Sequence, residues 1–522
     1  MANKGLFKSQ AGSIGPKADA VNEAGGRAYA FGAKHALAQY AITGCLNTTF
    51  YASAENQLQT VIDLCNRVDA EFIARLAVYC RERGYMKDMP ALLCAVLASK
   101  SPGLLCEIFE RVIDNGKMLQ NFVQMIRSGV TGRKSLGTAP KRMIQKWFAA
   151  RSDDAVFRAS VGQNPSLADI IKLAHPKPTT ASRQALFAYI LGVGHDAVAL
   201  PELVKDLEAF KSGKSETVPD VPFQFLTGLK LEREVWIEIA RNAPWQTTRM
   251  NLNTFLRHDV FKKGNMAKIV ANRLRDPALI KKARVFPYQL MAAFMSASRE
   301  LPNVIRLALQ DAMELALLNV PAVSGKVFIF PDVSGSMRSP VTGQREGAAS
   351  AVRCVDVAAL VAAALVRKNE DAEVLPFESK VVAFHFNPRD SVLTNAERLT
   401  QLPCGGTNCS APLAELNRRN ARGDLIVYVS DNESWLDSPH YGRFGGGKTK
   451  TLVEWQKFKH RNPRAKLICL DIQPYATTQA QEDHDILNIG GFSDSVFSII
   501  ADFAAGRLNA NHWLGTIYAV KI

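Results

Sequence analysis

No apolar run in this 522-residue chain is long enough to cross a bilayer. A spanning helix takes about 20 apolar residues; the longest stretch here, Val357 to Val366, is half that and directly follows Asp356. The opening Met1–Lys8 has no apolar core followed by a cleavage site, so no secretory signal is expected. Cysteine is sparse: nine residues, scattered, none in Cys-x-x-Cys spacing. That argues against a disulfide scaffold and against a cysteine zinc site. Cys404 and Cys409 bracket Gly405–Asn408 and read as small loop-packing residues. These absences together point to a cytoplasmic protein with no membrane partner. Also missing is any convincing Ser-His-Asp, Cys-His or paired-carboxylate set, so the chain is not expected to be an enzyme.

Charge is present in excess of one sign and in one place. Before Lys326 there are 42 basic and 28 acidic residues, an excess of +14; from Lys326 on there are 22 and 21. A surface with that excess attracts polyanions, nucleic acid above all. The plain alternative is a basic surface that binds nothing.

The hydrophobic pattern changes at the same place. From about Arg27 to Asn319 it is helical. Leu58, Val61, Ile62, Leu64, Cys65, Val68, Phe72, Ile73, Leu76 and Tyr79 recur at three- to four-residue spacing. Similar runs follow at 91–98, 117–128, 139–150, 167–173, 182–191, 222–229, 232–240, 251–257, 266–273, 288–295 and 304–319. Many short helices on short loops predict stacked helical hairpins of the HEAT or armadillo type, an all-α repeat part. Pro321–Gly325 reads as the boundary. Beyond it, strands are expected at 326–330, 373–377, 381–386, 425–430, 467–471 and weakly at 486–489. Helices are expected near 346–368, 410–420, 449–459 and 493–505. That alternation predicts an α/β doubly wound, Rossmann-like domain with a parallel sheet. The expected division is therefore an N-terminal segment 1–27, a helical-repeat domain 28–320 and an α/β domain 321–522. The final Ile517–Ile522 is β-prone, pairing at a sheet edge or tying the domains together.

Asp332-Val-Ser334-Gly-Ser336 follows the first of those strands. Alternate residues of an extended segment face one way, so the three oxygen side chains can meet at one point. A hard divalent cation such as Mg²⁺ takes oxygen ligands and keeps some waters. Thr407 lies on the Gly405-Gly406 loop, and Asp431 ends the strand Leu425–Ser430, at the edge where open α/β sheets bind ligands. Asp332, Ser334, Ser336, Thr407 and Asp431 resemble the metal-ion-dependent adhesion site (MIDAS) of von Willebrand factor A domains. In that family a partner's carboxylate commonly fills the open metal position. A metal-free turn is the other reading. Gly442–Thr449 matches the Walker A spacing, but the stretch before it, Trp435–Tyr441, is turn-rich where a phosphate loop needs a strand. It reads as a flexible Gly-rich loop beside the metal face, which leaves a gating role open, with a nucleotide site as the other reading.

Several segments in order carry a second resemblance: Ser128–Gly137, then Pro140–Phe148; Lys172-Leu-Ala-His-Pro-Lys-Pro178; Trp245–Asn253; and Val285–Met291. With the A domain they resemble the Ro autoantigen family, whose N-terminal region is the TROVE module, and the likeness spans about Ala28 to Phe503. Met250 separates Arg249 from Asn251 where the family has Arg and Asn adjacent. The resemblance implies a monomeric ring of helical repeats closed by the A domain, a ribonucleoprotein of RNA quality control, processing or degradation. Its partners would be Y-like small non-coding RNAs on an outer basic surface and single-stranded 3′ ends of misfolded RNAs in the hole. In bacterial members the exonuclease polynucleotide phosphorylase is linked to it.

The residues suit that use. Arg127, Arg133, Lys134, Lys141, Arg142 and Lys146 fall within twenty positions, and Arg142 and Lys146 share a helical face. Such a stripe can follow phosphates without reading sequence. Arg158, Lys172, His175 and Lys177 are the further candidates. His175 is either an RNA contact or a helix-end cap or core residue; the stripe is either a binding surface or a solvated face. Trp147 and Phe148 read as core. The rival function is a metal-dependent protein-interaction adaptor without specific RNA binding.

Overall fold

The computed structural model describes residues 16–43, 46–262, 264–283, 287–317, 320, 322–344, 352–369, 371–387, 389–435, 448–473, 475–491, 494–508 and 511–522. Two compact units divide the chain: Gln59–Leu318 with Ile517–Ile522, and Met1–Leu58 with Asn319–Thr516.

The first unit is helical. The apolar run 56–83 is two helices, Ala54–Arg67 and Ala70–Glu82, because the Asp69 side chain accepts the Phe72 amide at 2.8 Å and starts a new one. Ala70–Glu82 packs on Asp88–Lys100 and on Pro102–Val112, and Asp88–Lys100 packs on Gly116–Arg127. Pro102–Val112 in turn meets Thr138–Ala149, which meets Leu167–Ala174. These contacts are thus with the next helix or the next but one, the pattern of stacked hairpins. Asp88–Lys100 is buried from Met89 through Ala98, which explains its all-round apolar sequence. Trp147 and Phe148 are 1% exposed, and the Trp147 ring N–H donates to Ile113 O at 2.8 Å. Further along, Asn303–Ala316 packs on Met266–Leu274 around Ile305, Leu309 and Val270. The expected helix 222–229 is only a single turn, Phe223–Phe225, hemmed in by prolines at 219 and 222. Ile517–Ile522 makes no strand. It groups with the helical unit, where Arg75 and Arg111 donate to the carbonyls of Tyr518 and Lys521 at 2.9 and 2.5 Å.

The second unit holds a five-stranded parallel sheet in the order Glu373–Val374, Val327–Pro331, Leu425–Ser430, Lys466–Asp471, Ile486–Gly490. Phe328, Phe330, Tyr428 and Ile426 face one layer with Leu413, Trp455 and Phe458 of the helices Ala411–Arg418 and Lys450–Arg461. Cys354–Lys368 covers the sheet and is buried from Cys354 through Val366. The expected strand at 381–386 does not form. The chain turns back at Glu378–Lys380, so Val381 bridges Phe377 of its own segment, and Phe384 and Phe386 pack on each other. Residues 28–58, expected with the helical repeats, group with the sheet: Arg27–Ala30 pairs with Thr477–Thr478, and helix Ala33–Thr43 packs beside Ile486–Gly490. Gly442–Gly447, Val285–Phe286 and 346–351 lie outside the described residues.

Candidate functional site

Two constellations stand out, one in each unit. In the α/β unit, Asp332 leaves the Val327–Pro331 strand while its amide still donates to Val429 O at 3.0 Å, so the carboxylate sits at the C-terminal edge of the sheet. One Asp332 carboxylate oxygen accepts the Ser334 amide at 2.8 Å and the other the Ser430 hydroxyl at 2.6 Å. The Ser334 and Ser336 hydroxyls are 3.3 Å apart, and Ser336 also bonds Asp431. Gly335 N–H donates to Gly405 O at 2.9 Å, drawing the loop that carries Thr407 against the Asp-x-Ser-x-Ser turn. Gly406 has no room for a side chain: a Cβ there would lie 2.6 Å from the Trp435 ring. All five expected residues are therefore at one sheet edge, and all are buried, Asp332 and Ser334 completely.

Burial makes the two carboxylates a problem for each other. Removal from water, and the charge of Asp431, push Asp332 up to about 7. Asp431 is raised by burial as well. Among the described residues no Lys, Arg or His forms an ion pair with either one. No three His, Cys, Asp or Glu side chains there gather to hold a metal; the set depends on hydroxyls for three of its five members. Two carboxylates and three hydroxyls, buried without a counter-charge, are a donor set that fits a hard divalent cation.

The residues that cover this edge come from a distant part of the sequence and were not expected there. The Tyr51 phenol bonds Ser336 and packs edge-on against Tyr475 at 5.9 Å. Asn22 donates to Ser434 O at 2.9 Å, and Ala24 N–H donates to the Glu433 carboxylate at 3.2 Å. Thr48 O accepts from Gln344 N–H at 2.7 Å. Glu433 is fully buried, its other oxygen has no partner, and burial raises its pKa well above the carboxylate range. The edge expected to await a partner's carboxylate is thus covered by the chain's own Asn22, Ala24, Thr48 and Tyr51. Glu433, two positions after Asp431, was within reach of a sequence reading; Tyr51, some 280 positions before Ser336, carried no signal.

At the Walker-like segment, Thr449 is the N-cap of Lys450–Arg461. Its hydroxyl accepts the Leu452 amide at 3.2 Å and donates to Gln479 O at 2.6 Å, while Lys448 donates to Gln456 at 2.7 Å. Both groups are engaged locally.

In the helical unit, Arg127 ends one helix, and the loop Ser128–Gly137 leads into Thr138–Ala149. Gly137 has φ 72°, and a Cβ on it would collide with the Arg133 guanidinium. Arg127, Lys134, Lys141 and Arg142 line one open cleft of about 600 Å³ with Gly137, Thr138 and Gln145. No carboxylate lines it. Lys172 lies close by, since it and Arg127 both act on Asp169, whose pKa is lowered chiefly by its bonds to Ser166. Lys146 and Lys177 are exposed but do not line the cleft.

Three further candidates do not line that cleft. Arg133 is half-buried and gives its guanidinium to the carbonyls of Ala98, Ser135 and Leu136 at 2.9, 2.9 and 2.7 Å, so it staples the loop. Arg158 is ion-paired with Asp220 at 2.8 Å and borders a separate cavity. His175 is an exposed helix C-cap at φ 51°, the helix-end alternative, and the Gln145 side chain donates to Ala174 O beside it at 2.7 Å.

Comparison with known proteins agrees with both units. Residues 326–504 match the Ro60 vWA domain family. Over 530 aligned residues the chain is 23% identical to RNA-binding protein RO60 of Deinococcus radiodurans, covering 93% of this chain and 95% of that one. RNA-binding protein RO60 of Caenorhabditis elegans is 24% identical over 254 residues, 46% of this chain and 37% of that protein. The crystal structure of the Deinococcus radiodurans RO (RSR) protein superposes with a TM-score of 0.61 at 21% identity, covering 91% of this chain and all of that one. With a stacked helical unit, a doubly wound parallel sheet and an A domain that matches the Ro60 model in one polypeptide, the chain is similar to the Ro proteins over most of its length.

Proposed function

We propose that this chain is an RNA-binding protein, and that the cleft of Arg127, Lys134, Lys141 and Arg142 receives the phosphate backbone. The cleft carries the proposal: four cations converge there without a carboxylate among its lining. Backbone amides at the start of Thr138–Ala149 add unpaired donors at the positive end of a helix dipole. Both named relatives are called RNA-binding proteins, which supports the same reading. Contacts of this kind hold phosphates and do not read bases. The ligands are then recognised by shape and single-strandedness, as small structured Y-like RNAs and the 3′ ends of misfolded RNAs would be. A cytoplasmic, non-catalytic role in RNA quality control follows, with polynucleotide phosphorylase as a candidate partner.

The sheet-edge site is proposed to hold a divalent cation, Mg²⁺ by donor type, through Asp332, Ser334, Ser336, Thr407 and Asp431. A bound cation would neutralise the buried carboxylates. Because Asn22, Ala24, Thr48 and Tyr51 cover the site, its proposed role is to fasten the edge of this unit, not to contact RNA.

Crosslinking the protein to RNA in its native cells and sequencing the bound fragments tests the reading. Enrichment of a few small structured RNAs is expected. Recovery no greater than from an uncrosslinked control would remove RNA binding and leave the protein-adaptor alternative.

A further inference from the structure

The α/β unit has a net charge near neutral, but its charges are sorted along the sheet. The carboxylates Asp332, Asp431, Glu433 and Asp471 are buried at the C-terminal edge. At the opposite edge, where strands begin and helices end, cations collect, as helix C-termini favour them. Many of these are matched: Arg418 with Glu415, Arg419 with Glu373, Lys457 with Glu454, Lys459 with Asp485. Four are not. Lys326, Arg422, Arg461 and Arg464 line a cleft of about 280 Å³ with Asp424 and Asn462, and none of the four has an ion-pair partner among the described residues.

Helix capping accounts for only one contact among them, Arg422 on the last carbonyl of Lys450–Arg461. The end of Lys450–Arg461 is closed by the Asn462 amide, and Lys459 turns to Ala465 O at 2.7 Å. Three of the four cations are held in place by backbone or amide oxygens. Lys326 donates to Asp371 O at 2.6 Å, Arg422 to Arg461 O at 2.6 Å, and Arg461 to the Asn417 side chain at 2.7 Å. Each guanidinium has five N–H donors, so both arginines keep donors to spare in a fixed orientation. The single lining acid, Asp424, accepts the Lys326 amide at 3.0 Å.

We propose that this cleft is a second phosphate-binding site of the protein, taking phosphodiester groups of bound RNA on the α/β unit itself. Planar guanidinium groups match phosphate oxygens in pairs. The lining contains no aromatic side chain on which a base could stack, so contact is to the backbone and independent of sequence. The inference goes beyond the function proposed above, which places RNA on the helical unit, and it shares with that reading only the ligand.

The test uses full-length protein and a fluorescent single-stranded oligouridine, titrated between about 50 and 200 mM salt. Arg422 and Arg464 are exposed, so Arg422→Glu/Arg464→Glu is expected to melt like the parent. It should bind several-fold more weakly at low salt, with a salt slope shallower by about 1.4, two single-strand phosphate contacts. Arg422→Gln/Arg464→Gln, which keeps side-chain donors, should lie between variant and parent. Ultraviolet crosslinks should fall on the peptides carrying Arg422 or Arg464. Unchanged affinity and slope in the Glu variant would overturn the proposal, as would a cleft that binds inorganic phosphate while RNA binding is unaltered. Lys141→Glu/Arg142→Glu is run alongside. If it alone loses RNA, the helical-unit reading stands and this one falls; if neither variant loses RNA, both fall.

Discussion

Replacing Asp431 with asparagine should stabilise the metal-free protein and abolish its response to Mg²⁺. Asp332 and Asp431 are buried together with no cation beside them among the described residues. A carboxylate whose folded pKa lies above its unfolded value keeps its proton longer in the folded state. Stability is then greatest below the unfolded pKa and declines as pH rises through the folded one. For Asp332 that window runs from about 4 to about 7. Three pKa units at about 1.4 kcal/mol each set a ceiling of roughly 4 kcal/mol lost by pH 8 in chelator. The Asp431→Asn change would remove the charge that repels Asp332 while keeping an oxygen to accept the Glu433 amide, now at 3.3 Å. Urea denaturation at pH 5.5 and pH 8, with EDTA or with Mg²⁺, measures this. The parent should be weaker at pH 8 than at pH 5.5 in EDTA, and gain about 2.7 kcal/mol at a hundredfold excess of Mg²⁺ over its Kd. Asp431→Asn should be flatter with pH and indifferent to Mg²⁺. Lower stability of the variant in EDTA at pH 8, or an undiminished Mg²⁺ response, would refute the reasoning.

Arg133→Ala should cost about 2–3 kcal/mol, because three carbonyls lose a charged donor; Lys141→Ala should stay within about 0.5 kcal/mol of the parent in the same urea titration. Gly406→Ala forces a methyl into the Trp435 ring and should destabilise by about 1–3 kcal/mol, seen as a lower melting midpoint and weaker Mg²⁺ protection. Thr449→Ala removes an N-cap, about 1 kcal/mol. Calorimetric titration with ATP should be flat for the parent and for that variant, and heat of binding in the parent would revive a nucleotide site.

Periodicity carried most of the fold because each element was long enough to show its own period. Asn303–Ala316 and Leu425–Ser430 were legible for that reason. The strand expected at 381–386 has the right residues, but a turn at Glu378–Lys380 folds it back on Phe377, and turn geometry is not written in alternation. The five-residue sheet-edge set was legible because strand-end position, not contact, defines it. Its cover was not: Asn22, Ala24 and Tyr51 reach it only through the packing of residues 16–58 with the sheet. Net charge pointed to the cleft of Arg127, Lys134, Lys141 and Arg142, yet could not separate a cation that faces solvent from Arg133, which faces carbonyls. The same averaging hid the basic edge around Arg422 and Arg464, where a near-neutral sum conceals a sorted distribution.

The central claim is that the cleft between Arg127 and Arg142 binds RNA through phosphates. Its most direct test is the salt dependence of RNA affinity for parent and Lys141→Glu/Arg142→Glu at equal melting temperature. The parent should lose affinity linearly in the logarithm of salt, and the variant should bind at least tenfold more weakly with a slope shallower by about 1.4 to 1.8. Equal affinity and equal slope in the two proteins would contradict the account.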